Sequence, residues 1–141
     1  MRTNLKTYQN VNRESSLLAA EPHTIILMLF NGALESIAFA KGAIERKDFT
    51  VKAEKITKAV NIINSLRASL DKESQPQISA NFDALYEYCA DRLMNASATL
   101  NVAILDEVIG LLKPLRDAWA EMSEESKAEG HKLLREKEQQ L

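Results

Sequence analysis

The sequence predicts an all-α protein, an antiparallel up-down four-helix bundle with an N-terminal arm and a charged C-terminal tail. Four glycines, three prolines and 6% aromatic residues among 141 are too few for a many-stranded sheet or an aromatic sandwich core. Four segments instead repeat apolar residues every three or four positions. Each segment, as a helix, has these residues in one stripe along its length, called here its seam. The short connections favour antiparallel neighbours, with a dimer of helical hairpins as the alternative.

The bundle is predicted to occupy residues 21–122. Residues 1–20 form the arm, because apolar side chains such as Leu5 and Tyr8 are scattered there without a sustained period. The first helix is predicted to begin at Pro22, since proline suits the first helical position, and to end near Lys47. Residues 123–141 are charged with few apolar anchors, which predicts a loosely helical extension or a disordered tail.

The second helix is predicted to be capped by Asp48 or Thr50 and to run to about Leu70, before a polar loop over 71–77. The third is predicted over about 78–100 and the fourth over about 102–122. Asn101 turns the chain between them and can cap the fourth helix. Pro114 lies inside the fourth helix, where Gly110 gives the chain room to bend, so we expect a kink rather than a break.

Composition excludes several classes of function. Eighteen basic against 20 acidic residues and a pI of about 5.7 give no basic field for nucleic acid. The single cysteine, Cys89, cannot form an internal disulfide, which favours the cytosol. Neither His23 nor His131 has a glutamate three residues earlier, so no di-iron site and no cofactor are expected. Without a signal core or 18 uninterrupted apolar residues, we expect neither export by a cleaved signal nor membrane insertion.

Two polar features admit a functional and a structural interpretation. Cys89 lies in the third apolar seam, which favours a buried structural thiol over a nucleophile. Four cations fall at the seam borders, one on each helix: Lys41, Arg67, Arg92 and Arg116. They could hold an anionic substrate, as in a small all-helical enzyme, but we favour pairing with acids of adjoining helices.

The first helix has more apolar residues than its seam can use. A second set of residues, the first-helix strip, lies roughly opposite the seam on a helical wheel, with small side chains in its middle. The first-helix strip consists of Ile25, Met28, Gly32, Ser36, Phe39 and Ala43. It has the shape of a shallow groove for another helix, and Tyr88 similarly flanks the third seam. A flank of this kind risks self-association unless the arm or a partner chain covers it, which favours a helix-binding adaptor or chaperone.

Several stretches in the arm and in all four helices form a recognisable set of motifs. These motifs are Tyr8-Gln9, Pro22–Ala33, Lys58–Ile63, Asn81–Tyr88 with Arg92-Leu93, Glu107–Leu112 and Leu115–Trp119. In their order and spacing the chain resembles a known family, the flagellar export chaperone FliS, from about Leu5 to Met122.

The resemblance implies a cytosolic, non-enzymatic bundle that binds the C-terminal segment of flagellin, prevents its polymerisation and delivers it for type III export. It also implies that Leu5 and Tyr8 dock on the cytosolic domain of the export-gate protein FlhA when client is bound. Whether the flagellar anti-sigma factor also binds stays open. Flagellin contact at Tyr88 and at the first-helix strip is inferred from the helical wheel, and Tyr88 is equally compatible with a satisfied core-edge position.

Overall fold

The computed structural model describes residues 22–122, and over this range 86% of residues are helical and no strand is present. This confirms the all-α class. The helices are α1 (Pro22–Glu45), α2 (Phe49–Ala68), α3 (Pro76–Thr99) and α4 (Val102–Ala120). The predicted arm and tail lie outside the described residues.

Side-chain caps and a proline fix where three helices begin. Asp48 is the N-cap of α2, and its carboxylate accepts from the backbone N–H of Val51 at 3.3 Å, which decides between the two predicted caps. Asn101 caps α4 as predicted, accepting from the N–H of Ala103 at 3.0 Å. Helix α3 begins at Pro76, two residues before the predicted start, because proline there lacks only an N–H that the first turn would leave unpaired.

In the turn between α1 and α2, Lys47 adopts the left-handed backbone conformation. Helix α1 ends at Glu45, two residues before the predicted end, and Lys47 has φ 61°. The backbone N–H of Asp48 then donates to the carbonyl of Ala43 at 2.8 Å, so that the turn satisfies a carbonyl of the last helical turn. A side chain at such a φ is strained, since Cβ crowds the following carbonyl.

We expect Lys47→Gly to stabilise the protein by about 0.5–1 kcal/mol. Glycine adopts the left-handed conformation without strain, and this gain exceeds its extra conformational entropy in the unfolded chain. Urea unfolding monitored by circular dichroism measures the change. Arg46→Gly is the matched control, because Arg46 has no positive φ, and an equal gain there would show that backbone strain at Lys47 is not the cause.

Helices α2 and α3 pack side by side in opposite directions. Near the start of α2, Lys52 Nζ donates to the carbonyl of Ser97, close to the end of α3, at 3.1 Å. Near the end of α2, Arg67 bonds to the carboxylate of Asp83, close to the start of α3. Contacts whose numbers run oppositely along two helices define an antiparallel pair.

Helices α1 and α4 form a second antiparallel pair. Lys41 of α1 reaches Asp106 at 2.9 Å, while Asn31 accepts from Arg116 at 2.9 Å. Across the interior, the ring centroids of Phe30 in α1 and Tyr86 in α3 are 6.5 Å apart. Within residues 27–121, which form one compact unit, α1 and α3 are therefore diagonal partners, as in the predicted up-down bundle.

The interior is built from the predicted seams. The fully buried large side chains are aliphatic, apart from one thiol: Ile37, Ile63, Leu66, Leu93, Leu105, Leu112, Val108 and Cys89. Helix α4 continues through Pro114, so the proline does not break it. A Cβ on Gly110 would meet nothing within 4 Å, so Gly110 faces open space. The kink itself stays a prediction.

Candidate functional site

The four border cations are each held by an acid. Lys41 pairs with Asp106 at 2.9 Å, Arg67 with Asp83 at 3.0 Å, Arg92 with Glu107 at 2.8 Å and Arg116 with Asp117 at 2.6 Å. The first three pairs join neighbouring helices, as predicted. The prediction is wrong for Arg116, because its acid is the next residue of its own helix and its contact to α1 is the amide oxygen of Asn31. These positive charges are thus neutralised within the bundle and do not form an open ring for an anion.

Two of these pairs lower the pKa of their acids. The hydrogen bonds from Arg67 hold the pKa of Asp83 below its usual value, and the hydrogen bond from Arg92 does the same for Glu107. In both cases the cation favours the ionised carboxylate. Because the side chains are partly exposed, solvent screens these pairs and their stabilisation is small.

We expect Asp83→Asn to lower stability slightly at pH 7 and to have a progressively smaller effect as pH falls below 4. A carboxyl whose pKa is lower in the folded protein stabilises the fold fully above its unfolded pKa of about 3.9, and this stabilisation disappears as pH falls through the folded value. Urea unfolding at pH 7, 4 and 2 measures the difference. Glu54→Gln, at an exposed position of α2, is the control, and an Asp83→Asn difference that does not shrink between pH 7 and pH 2 would contradict the account.

Cys89 is buried as predicted. Its side chain has no exposed surface, and burial raises the pKa of the thiol to about 11. The thiol is therefore protonated at neutral pH and shielded from reagents, which are properties of a packing residue rather than of a nucleophile.

The first-helix strip borders α2 instead of lying opposite the core. A Cβ on Gly32 would come within 3.3 Å of Cδ1 of Ile62, so the absence of a side chain at Gly32 lets α2 approach closely. Further along α1, the Phe39 ring lies beneath Lys55 of α2, with Nζ 5.2 Å from the ring centroid. Gly32 of the first-helix strip thus permits close contact between two helices of the bundle.

Ser36 and Ala43 are buried, with 3% and 0% of their surface exposed. The expectation of an open strip is therefore wrong at these two positions. On a wheel of about 100° per residue, the buried positions of α1 span roughly 160°, because the helix packs against neighbours on both sides. Ser36 and Ala43 fall at the α2 edge of that arc. Their part in binding a partner stays a prediction.

Met28 and Phe39 are the open positions of the first-helix strip. They are 49% and 51% exposed, respectively, while Ile25 and Gly32 are half-buried. Phe39 lies eleven positions after Met28, which is about three helical turns and ~16 Å along the axis. Both fall within about 20° of the same line on the wheel. Their exposed apolar surfaces therefore lie along one edge of α1.

Tyr88 lies on another edge of the bundle. It is 44% exposed, and its hydroxyl donates to the carboxylate of Glu107 at 3.2 Å, where Arg92 also donates. Tyr88 therefore has a polar partner on α4 and keeps an exposed ring. The first-helix strip faces α2, whereas Tyr88 faces α4, so the structure does not bring these predicted residues onto one patch.

Four further large apolar residues of the described helices are exposed: Phe49, Ile78, Met94 and Leu100. The sequence places Ile78 and Leu100 at the two ends of the third seam, and the expectation that they are buried is wrong. Phe49 and Ile78 lie in the first turns of α2 and α3, and Leu100 is the C-cap of α3 with φ 55°. Phe49, Ile78 and Leu100 are exposed because they lie at helix ends, where the neighbouring helices no longer cover the seam. Leu5 and Tyr8 of the predicted export-gate site lie outside the described residues.

Among the described helices, α1 alone is long and apolar enough to span a membrane by length and composition. The core helix of a soluble bundle meets the same criterion. Phe30 and Ile37 are buried in the bundle interior, and Lys41 is paired with Asp106. One weakly apolar helix with these contacts does not indicate a membrane protein.

Comparison with known proteins decides the family. The family model described as "Flagellar protein FliS" matches residues 4–126, which include all four helices. The chain belongs to the FliS family. It is 40% identical to flagellar secretion chaperone FliSB of Pseudomonas aeruginosa over 115 residues, 82% of this chain and 91% of that protein. It is 38% identical to FliS of Salmonella typhimurium over 120 residues, 84% and 89% of the two chains.

A third relative, FliS of Vibrio cholerae, is 35% identical over 125 residues, covering 89% of this chain and 92% of its own. FliS proteins are flagellar export chaperones, and the family is non-enzymatic. The resemblance inferred from the motifs is therefore confirmed. The alternative of an anion-binding enzyme is rejected, in agreement with the neutralised border cations.

Proposed function

We propose that this protein is a cytosolic chaperone that binds the C-terminal segment of flagellin, blocks its premature polymerisation and delivers it to FlhA for type III export. The observation that carries the proposal is the exposed apolar pair Met28 and Phe39 on α1 of a FliS-family bundle. A client segment that forms filament core needs an apolar surface of this kind to cover its own apolar face.

The separation of the candidate surfaces supports a client that wraps around the bundle. Met28 and Phe39 lie at the α1–α2 edge, and the Tyr88 ring lies at the α3–α4 edge. A short rigid helix cannot cover both edges, whereas a disordered segment that folds on binding can reach several faces. Extensive contact is also what offsets the entropy lost when such a segment becomes ordered.

Polymerisation of purified flagellin, followed by light scattering, tests the proposal. At one chaperone per flagellin, we expect filament growth to stop, because each client terminus is held away from its filament partners. Bovine serum albumin at the same concentration controls for crowding. Filament growth at an unchanged rate in the presence of equimolar chaperone would overturn the proposal.

The delivery step of the proposal involves Leu5 and Tyr8. An aliphatic and an aromatic side chain three residues apart lie on one side of a helical turn, which suits insertion into a small apolar pocket. Within the FliS family this arm motif is expected to engage FlhA once client is bound. Binding of the flagellar anti-sigma factor is tested separately, by titrating it into the same purified protein.

A further inference from the structure

Helix α2 carries two lysines beside the first-helix strip that no described acid neutralises. The Lys55 ammonium stands 5.2 Å from the centre of the Phe39 ring, and Lys58 is exposed three residues further along. Residues three apart on a helix share a face, so both cations border the same edge. They differ from the four border cations, each of which has a carboxylate within 3.0 Å.

The exposed acids of this region do not cancel the two charges. Glu54 precedes Lys55 directly and so projects about 100° away from it around the helix. It lies four residues before Lys58 on the same face, but no ion pair joins the two side chains. Glu35 lies one turn before Phe39 on α1. Neither acid comes within ion-pair distance of Lys55 or Lys58 in the described part of the chain. The α2 side of the edge therefore keeps a positive charge beside an exposed aromatic ring.

The contact between Lys55 and Phe39 leaves the ammonium able to bind an anion. A cation above a ring is attracted by the ring quadrupole, and this attraction uses none of its three N–H donors as a conventional hydrogen bond. A carboxylate can therefore approach Lys55 from solvent while the ammonium stays over the ring. Lys58 offers a second donor group about one turn away.

We propose that the α1–α2 edge binds an amphipathic client segment whose apolar side chains contact Phe39 and whose flank towards α2 carries carboxylates that pair with Lys55 and Lys58. This inference rests on the proposed function for its occupant, the flagellin C-terminal segment. The two charges lie on one side of the apolar contact only, so they fix which flank of the segment faces α2. Charges at the rim of an interface act mainly on orientation and on the rate of association.

Stopped-flow association with the flagellin C-terminal segment, measured at several salt concentrations, tests this proposal. For Lys55→Gln with Lys58→Gln, we expect association at low salt to slow by about two- to ten-fold and its dependence on salt to weaken. Lys58→Gln alone removes charge without disturbing Phe39. Lys113→Gln is the matched control, because this exposed lysine lies on α4, diagonally across the bundle from α2.

A client segment with its acidic side chains converted to amides provides the reciprocal test. We expect wild-type protein to bind it as slowly as the double lysine variant binds the native segment. If wild-type protein binds the native segment but the double variant shows the same rate and salt dependence, the charge proposal is overturned and the proposed function stands. If wild-type protein does not bind the native segment, the proposed function itself fails.

Discussion

Phe39→Asp is expected to weaken binding of the flagellin segment by about thirty-fold or more while the bundle stays folded. Burial of an exposed aromatic ring at the centre of a contact is typically worth about 2 kcal/mol or more, which corresponds to roughly thirty-fold in affinity. Because Phe39 is 51% exposed, aspartate leaves no cavity, and the new carboxylate can pair with Lys55. We expect a change in stability within about 0.5 kcal/mol.

Isothermal titration calorimetry measures the affinity, and circular dichroism measures the helix content of the free variant. Met94→Asp is the matched control, because Met94 is an apolar residue of α3 with 60% exposure, away from the α1–α2 edge. We expect this control to bind client normally. A large loss of helix in Phe39→Asp would place Phe39 in the core, and unchanged affinity would remove the first-helix strip from the client surface.

Replacement of Leu5 and Tyr8 by alanine together is expected to reduce flagellin export by roughly ten-fold or more without preventing client binding. The two residues are proposed to anchor the loaded chaperone on FlhA, and loss of two anchoring side chains removes most of the energy of a small interface. Secreted flagellin in the culture medium measures export. Titration of the purified variant with the flagellin segment measures binding.

Lys6→Ala with Asn10→Ala is the control for the arm, since it changes two polar neighbours at similar spacing. We expect this variant to export flagellin normally. Loss of flagellin binding in the Leu5 and Tyr8 variant would contradict the division of roles between arm and bundle. Normal export by the Leu5 and Tyr8 variant would show that these two residues are not needed to deliver flagellin for export.

The fold was predictable because the apolar period specifies helices and seams directly. Ile37, Ile63, Leu93 and Leu105 stand in the four seams and are all fully buried. Short connections then favour antiparallel packing of helices that follow one another in the chain. Helix ends were less certain, since Asp48 and Thr50 are both good caps and the hydrogen bond to Val51 decides between them.

The orientation of the first-helix strip could not be predicted from a helical wheel. The wheel gives angles around one helix, but it does not say how many neighbours that helix has. Gly32 illustrates the ambiguity, because a small residue permits either a groove for a partner or close approach of the next helix. Its contact with Ile62 shows the second case. Only the positions of α2 and α4 around α1 separate buried Ser36 from exposed Phe39.

Ion pairing was partly predictable. Cations at seam borders have acids of adjoining helices within reach, and three of the four follow this rule. Arg116 departs from it because Asp117 is its immediate neighbour, while the α1 side of the contact supplies Asn31 rather than an acid. Which residue of the adjoining helix faces a given cation depends on how far the two helices are shifted along their axes. The apolar periodicity does not determine this shift.

The central claim is tested most directly by calorimetric titration of the full-length protein with the C-terminal segment of flagellin from the same organism, with circular dichroism before and after mixing. The account predicts tight one-to-one binding and more helix in the mixture than in the sum of the separate components, because the disordered client becomes helical on the bundle. No heat of binding and no added helix would contradict it.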